Sequence, residues 1–501
     1  MTRSGRRDCE RSLRSAAVGP RSGGRAGALG SGARRQALLR ARARAGALFS
    51  RSLKNSAKLA AVLWMHASVL VSAIAADTAP PAPVSFRKDI APVLHRRCAA
   101  CHGEENAKGG YRLDTFERMW KAGDTETAPL VAGKPGESEL HQLLVEADAN
   151  DRMPQKADAL PAREIALIER WIEEGAINDG SPPNRPLAEL VRESLLLPAP
   201  QKYARPAPVT ALAFSPDGTQ IAASGYYEVT LWDLETGALI RRIGGLPQRI
   251  HSIAWHPRTG LLAVGGGSPS QWGGVFLIDP SAGFQVRLLA DLPDTALSVA
   301  FSPDGKQLAA CGGDRTVRLF DTASGKQTRL WRHHADWVQT VAFASESARL
   351  VSASRDRMAR VLSIESGEVL ATYDDHGVSV LTAAISANGA TAFSVARGQP
   401  VRSWDASSGQ HKADFPDAGR EVQTLLPTQF GLLTGSTDRF VRLIQLSDRR
   451  TLMTFDGHRD CVESLAVAPG GRTFASGAHD GEVCIWNLAC ETWVRRFFTS
   501  P

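Results

Sequence analysis

Cysteine is scarce: seven residues in a chain of 501, too few and too irregularly spaced for a fold built on disulfides. Cys9 stands in the N-terminal leader, Cys98 and Cys101 form one tight pair, and Cys311, Cys461, Cys484 and Cys490 are scattered late. A single bridge among the last four, with Cys461 and Cys484 the favoured pair, stays open. Long apolar runs are missing as well; the stretch from Leu59 to Ala75 falls short of the ~20 residues typical of a bilayer-crossing helix. Basic charge is thinner than the net +7 suggests. Residues 1–58 hold 15 of the 59 basic side chains and two of the 52 acidic ones, so acids outnumber bases by six from Leu59 onward. Nucleic-acid binding thereby loses its electrostatic support. No Ser/His/Asp constellation, glycine-rich phosphate loop or carboxylate cluster stands out, which removes the commonest hydrolytic and nucleotide-dependent chemistries.

What is present suffices for more than one core. A chain of this length exceeds a single hydrophobic core, and 43% hydrophobic with 22% charged residues is the composition of ordinary globular protein. The apolar stretch Leu59–Ala75 follows Lys54 and Lys58 and ends in Ala73-Ile74-Ala75, the layout of a secretory signal cut before a mature chain that begins near Ala76. Residues 1–76 are thus expected to be a disordered basic leader plus signal peptide. The expected location is the periplasm or another exported compartment, with membrane attachment only through an uncleaved signal.

Cys98-Ala99-Ala100-Cys101-His102 is a C-x-x-C-H motif. Two cysteines three apart on a helical turn can each form a thioether to a haem vinyl group, and the adjacent imidazole then faces the iron. The preceding segment, Ser85 to Arg97, places Phe86, Ile90, Val93 and Leu94 on one helical stripe. A structural zinc site needs a second ligand pair at suitable spacing, and a thioredoxin-like pair would sit in a βαβ pattern; neither context is visible. For a sixth iron ligand Met153, in a polar Pro-containing loop, is preferred over Met119, His95 and His141, which lie in helical or amphipathic stretches. Arg163 to Glu174 gives a closing helix with Ile165, Ile168, Trp171 and Ile172 on one face.

The run from Ser85 to Ala176, with CAACHG, KGGYRLDTFERMWKAGD, APLVAGKPGESEL, DRMPQ and ALPAREIALIERWIEEGA, resembles the planctomycete-type cytochrome c domain. The resemblance implies an all-α, class I cytochrome c-like domain over residues 77–180. It also implies one covalent haem c on Cys98 and Cys101, with His102 as proximal and Met153 as distal iron ligand. Met153-Pro154-Gln155 departs from the usual family run of Met followed by two prolines.

A Pro-rich linker is expected over 181–208, with a short helical stretch from Leu187 to Leu197 inside it. From Val209 a unit of about 42 residues recurs seven times, its first strand reading VTALAF, IHSIAW, ALSVAF, VQTVAF, VLTAAI, VQTLLP and VESLAV. A large apolar residue anchors each third strand: Trp232, Ile278, Phe320, Leu362, Trp404, Ile444 and Trp486. Gly237, Gly283, Gly325, Gly367 and Gly409 follow their anchors by five residues, where a hairpin needs positive φ. Four-stranded units that cannot bury their sheets alone stack radially and close. The units resemble WD repeats, which implies an all-β seven-bladed propeller over 209–501. The same resemblance makes His458, Ser476, Asp480 and Trp486 a hydrogen-bonded structural tetrad, and His334, Ser352 and Asp356 another in which Leu362 replaces Trp. Arg315, Arg357 and Arg439 are expected on one face of the disc, with Tyr226, Tyr227, Trp272 and His479 in neighbouring turns.

The leading functional expectation is a non-enzymatic electron carrier whose propeller docks a protein redox partner or a periplasmic assembly. The alternatives are a propeller oxidoreductase with a second cofactor and an interaction scaffold with a structural or sensory haem.

Overall fold

The computed structural model describes residues 82–499, apart from 105, 156–157, 180–181, 346–347 and 489–492. The expected leader and signal peptide, Cys9 and Cys490 lie outside the described residues. Among the described residues no helix is long and apolar enough to cross a membrane.

Residues 82–195 are built from short helices and loops. Ser85 opens the first helical segment reciprocally: its hydroxyl accepts from the Lys88 amide at 3.0 Å while its own amide donates to the Asp89 carboxylate at 2.9 Å. One π-helical turn, Phe86–Ile90, runs into α1, Ala91–Arg97. The stripe read from the sequence is the buried one, since Phe86, Ile90, Val93 and Leu94 are all buried. After α2, Glu139–Val145, comes α3, Ala162–Glu173, which buries Ile168, Trp171 and Ile172. Trp171 stacks on Phe86 with ring centroids 5.5 Å apart, a pairing that adds about 1 kcal/mol beyond the buried area. Arg96 and Arg97 converge at 2.8 and 3.1 Å on Glu164, so this buried carboxylate is paired.

The helical stretch expected within the linker forms α4, Leu187–Leu195. Leu187, Leu190 and Val191 are buried at helical spacing, and the helix packs on α1 and the π-turn. Arg87 joins Glu193 at 2.9 Å. At its C-terminal end, Leu195 and Leu196 pack on an apolar cluster that holds Ala211, Leu231, Ile253 and Trp272, and Arg192 meets Asp291 at 3.3 Å. The following residues are strapped to the first blade. Tyr203 hydrogen-bonds Glu228, and Arg242 donates to the carbonyls of Gln201 and Pro200 at 3.1 and 2.5 Å.

From Leu212 onward the chain forms seven four-stranded antiparallel sheets. Each sheet uses four consecutive strands, and the inner strand of every sheet contacts those of its two neighbours, closing a seven-bladed propeller. All seven anchors are buried. The predicted turn glycines adopt φ between 70° and 79°, which only glycine takes without steric cost. In six blades a bulge near the start of the inner strand re-aims one residue, and in five of them that residue, His251, Leu297, Gln339, Gln423 or Glu463, lines the central channel. The next residue is a small hydroxyl that stitches blades together. The Ser298 hydroxyl accepts from the Val341 amide at 3.3 Å, that of Thr340 accepts from Ala383 at 3.0 Å, and Ser464 donates to the Val209 carbonyl at 2.6 Å. The last of these closes the ring, helped by Trp232 against Phe497 at 4.8 Å. Cys311, Cys461 and Cys484 are free thiols, so the disulfide left open between Cys461 and Cys484 is not formed.

Candidate functional site: the Cys98–Met153 cleft

The end of α1 shapes the motif. The Cys98 amide still donates to the Leu94 carbonyl at 2.9 Å, and the amides of Cys101 and His102 both return to the Cys98 carbonyl, at 3.1 and 3.0 Å. This tight turn keeps both sulfurs and the imidazole on one side of the chain. Gly103 is required behind it, because a Cβ there would lie 2.5 Å from the Ala99 carbonyl oxygen. His102 Nδ1 lies 3.2 Å from the Tyr111 carbonyl oxygen. A ring nitrogen that donates to a carbonyl fixes the tautomer and leaves Nε2 as the lone-pair donor. Tyr111 is itself held by its hydroxyl, which donates to the Met119 carbonyl at 3.0 Å.

Cys98, Cys101 and His102 line one side of a cavity of about 320 Å³ whose other wall includes Leu140, Leu143, Leu144 and Met153. Met153 is fixed by its amide, which donates to the Leu143 carbonyl at 2.9 Å. All four residues singled out from the sequence therefore share one cleft, although 51 positions separate His102 from Met153. Met119 is fully buried and is absent from the cavity lining, as are His95 and His141. His95 lies instead near Asp291 of the propeller, and its pKa is lowered chiefly by burial.

The chemistry of the donor set fits a haem. Burial pushes the Cys98 thiol up to about 12, the reverse of the depressed pKa that activates a dithiol redox pair. The cavity offers an imidazole and a thioether, the two axial donors of a cytochrome c, among apolar walls, and no second cysteine pair for zinc. The contribution that sequence reading missed is the Tyr111 carbonyl, a backbone atom without a residue-type signal.

Residues 98–156 match the family described as Planctomycete cytochrome C, and residues 201–233, 290–321, 325–363 and 449–487 match the WD domain, G-beta repeat. The chain joins a planctomycete cytochrome c domain to WD repeats. Three curated proteins are similar to parts of it. The ribosome biogenesis protein WDR12 homolog of Chlamydomonas reinhardtii is 41% identical over 64 residues, 11% of this chain and 14% of that protein. Striatin of Homo sapiens is 31% identical over 65 residues, 13% and 8%. The small ribosomal subunit protein RACK1y of Oryza sativa subsp. japonica is 35% identical over 57 residues, 11% and 17%. The matches thus span less than a fifth of each relative.

The polar residues of the WD repeats hold the fold. In the fourth blade His334 joins Asp356 at 2.8 Å and Ser352 at 2.9 Å, with Leu362 in the tryptophan's place. The fifth blade holds a set that the sequence reading did not single out: His376 joins Ser394 at 2.7 Å and Gln399 at 3.0 Å, and Trp404 donates to Ser394 at 3.1 Å.

The last blade corrects an expectation. Trp486 donates to Ser476 at 2.6 Å and Ser476 meets His458 Nε2 at 2.5 Å, but Nδ1 faces Glu482 at 3.2 Å, and the Asp480 carboxylate accepts instead from the Glu482 amide. The cause lies in the arginines. In the third, fourth and sixth blades an arginine four residues on, Arg318, Arg360 or Arg442, neutralises the turn aspartate. Cys484 occupies that place in the last blade, and the guanidinium comes from Arg496 in the outer strand, which binds Glu482. The first blade repeats this second arrangement with Glu228 and Arg242 at 2.7 Å. His458, Glu482 and Cys484 bring possible metal ligands within 4.8 Å of one another. Arg496 already balances the carboxylate there, so a buried dication would leave excess positive charge.

Proposed function

We propose that this protein is an exported electron carrier in which one haem c, bound through thioethers to Cys98 and Cys101, is ligated by His102 and Met153 in a class I cytochrome c-like domain. The observation that carries the reading is the meeting of these four residues in one largely apolar cleft. Bound there, the haem iron would supply a one-electron couple. His102 presents Nε2 because Nδ1 is spent on Tyr111, and the leucines of α2 supply the apolar wall opposite it. A thioether from Met153 would favour reduced iron and give a higher potential than a second histidine.

WD propellers generally mediate protein–protein interaction, and the propeller is assigned the task of docking a redox partner or a periplasmic assembly. The docking of α4 on both parts makes the join stiff rather than a loose tether. The chain is read as a carrier and not as an enzyme. The test is to produce the protein in a host that matures c-type cytochromes. A thioether-linked haemochrome, a Met-to-iron charge-transfer band and a reversible redox titration support the reading; colourless protein with both thiols free overturns it.

A further inference from the structure

The turns between the second and third strands of the blades, and the loops that join one blade to the next, lie at one end of the propeller, because successive strands alternate in direction. Arg315, Arg357 and Arg439 occupy equivalent turn positions at this end, all exposed, with φ of 66°, 76° and 77°. This left-handed backbone favours glycine, and the seventh blade does use glycine there, Gly481 with φ 85°. Three blades therefore carry an arginine against backbone preference.

Nothing in the described residues takes these guanidiniums. The aspartate before each one is engaged inward: Asp314 by Arg318 at 2.6 Å, Asp356 by Arg360 at 3.0 Å and Asp438 by Arg442 at 2.8 Å. The acid of each Asp-Arg turn is thus neutralised inside the blade while the base remains outside. The second of these turns carries an aromatic contact. Arg355 lies over the half-buried Trp337 ring at 4.8 Å, its amide donates to the Trp337 carbonyl at 2.9 Å, and the Asp336 side chain caps the Trp337 amide at 2.7 Å. Pre-ordered Trp and Arg side chains are the residues that dominate protein interfaces. Trp272, expected from the sequence to join this surface, is buried and donates to Asp291.

We propose that this end of blades three to six, with Arg315, Arg357 and Arg439 around the Trp337–Arg355 stack, docks an acidic segment of a partner protein. Exposed Asp374, Asp375 and Asp417 stand on the loops into the fifth and sixth blades, so the complementarity is local to the turns: separate arginines with spent aspartates suit carboxylates spaced along a chain. From Leu59 onward the chain is net acidic, which disfavours a general polyanion. The inference deepens the docking role assigned above and rests on it. The haem spectra test the carrier reading independently, so a failure of one is distinguishable from a failure of the other.

The test uses the full haem-loaded chain and a short fluorescent peptide of alternating glutamate and serine, followed by anisotropy and by Trp337 fluorescence. The parent protein binds the peptide more weakly as salt is raised. The triple variant R315G/R357G/R439G, whose backbone suits the left-handed turns, binds at least about tenfold more weakly with its thermal midpoint maintained. R315Q/R357Q/R439Q gives the same loss with side-chain bulk retained. K306A/K326A, at the opposite end of the strands, binds like the parent. Equal binding by parent and triple variants, no binding by the parent, or preference for an oligonucleotide of equal charge overturns the proposal.

Discussion

His458 meets Glu482, not Asp480, across 3.2 Å with both side chains fully buried. Arg496 binds the same carboxylate and balances its buried charge. Removing one member of a buried ion network strands the other charge, at a cost of about 3–5 kcal/mol. Glu482→Ala is expected to lose that amount in denaturant unfolding, whereas Asp480→Ala, which touches only a turn amide, should lose less than ~1 kcal/mol. Equal effects would restore Asp480 as the histidine's partner.

The same contrast shows where the sequence was readable. The seven anchors and the turn glycines recur with the period of a blade, and periodicity survives because every blade solves the same packing problem. Asp480 stands four residues after Ser476 just as Asp356 stands four after Ser352, so spacing alone nominates it. The deciding fact, that Cys484 replaces the local arginine and Arg496 acts from another strand, is a tertiary relation. Cys98, Cys101 and His102 were legible because their chemistry is local. Met153 could be nominated because a methionine in a polar loop lacks a packing reason, and it does line the cleft. The helix α4 was legible between Pro-rich pieces as a helical stretch from Leu187 to Leu197, but its role was not, because its apolar face has meaning only against α1 and the propeller. Tyr111 contributes a carbonyl, which every residue possesses.

The propeller should weaken in mild acid. Burial lowers His251 to about 4, and it also lowers His334 and His376. Below the ordinary histidine value of about 6.5 the unfolded chain takes these protons while the native blades do not. Stability is therefore complete above that pH and falls as pH drops toward 4, with His251 alone accounting for about 3 kcal/mol. His251→Gln should flatten that part of the curve, as read from urea midpoints across the range; an unchanged slope would show that the channel histidine does not carry it.

The covalent attachment predicts a graded loss. With both Cys98 and Cys101 replaced by Ala, haem should be extractable by acid-acetone and invisible to peroxidase staining after denaturing electrophoresis. Either single replacement should leave one thioether and a shifted haemochrome spectrum. His102→Ala should leave the sulfurs competent but prevent a low-spin iron. Persistent covalent haem in the double variant would break the assignment.

Met153 and Met119 separate ligation from packing. Met119 is fully buried and lines no part of the cleft, so Met119→Ala should cost roughly 2–5 kcal/mol of stability through the cavity it leaves while the charge-transfer band persists. Met153 is only half-buried and lines the cleft, so Met153→Ala should cost less stability yet abolish the band and lower the reduction potential, since the donor that favours reduced iron is gone. Met153→His should restore a low-spin spectrum at a potential below that of the parent. The opposite pattern, with the band lost in Met119→Ala and kept in Met153→Ala, would move the sixth ligand to the other methionine.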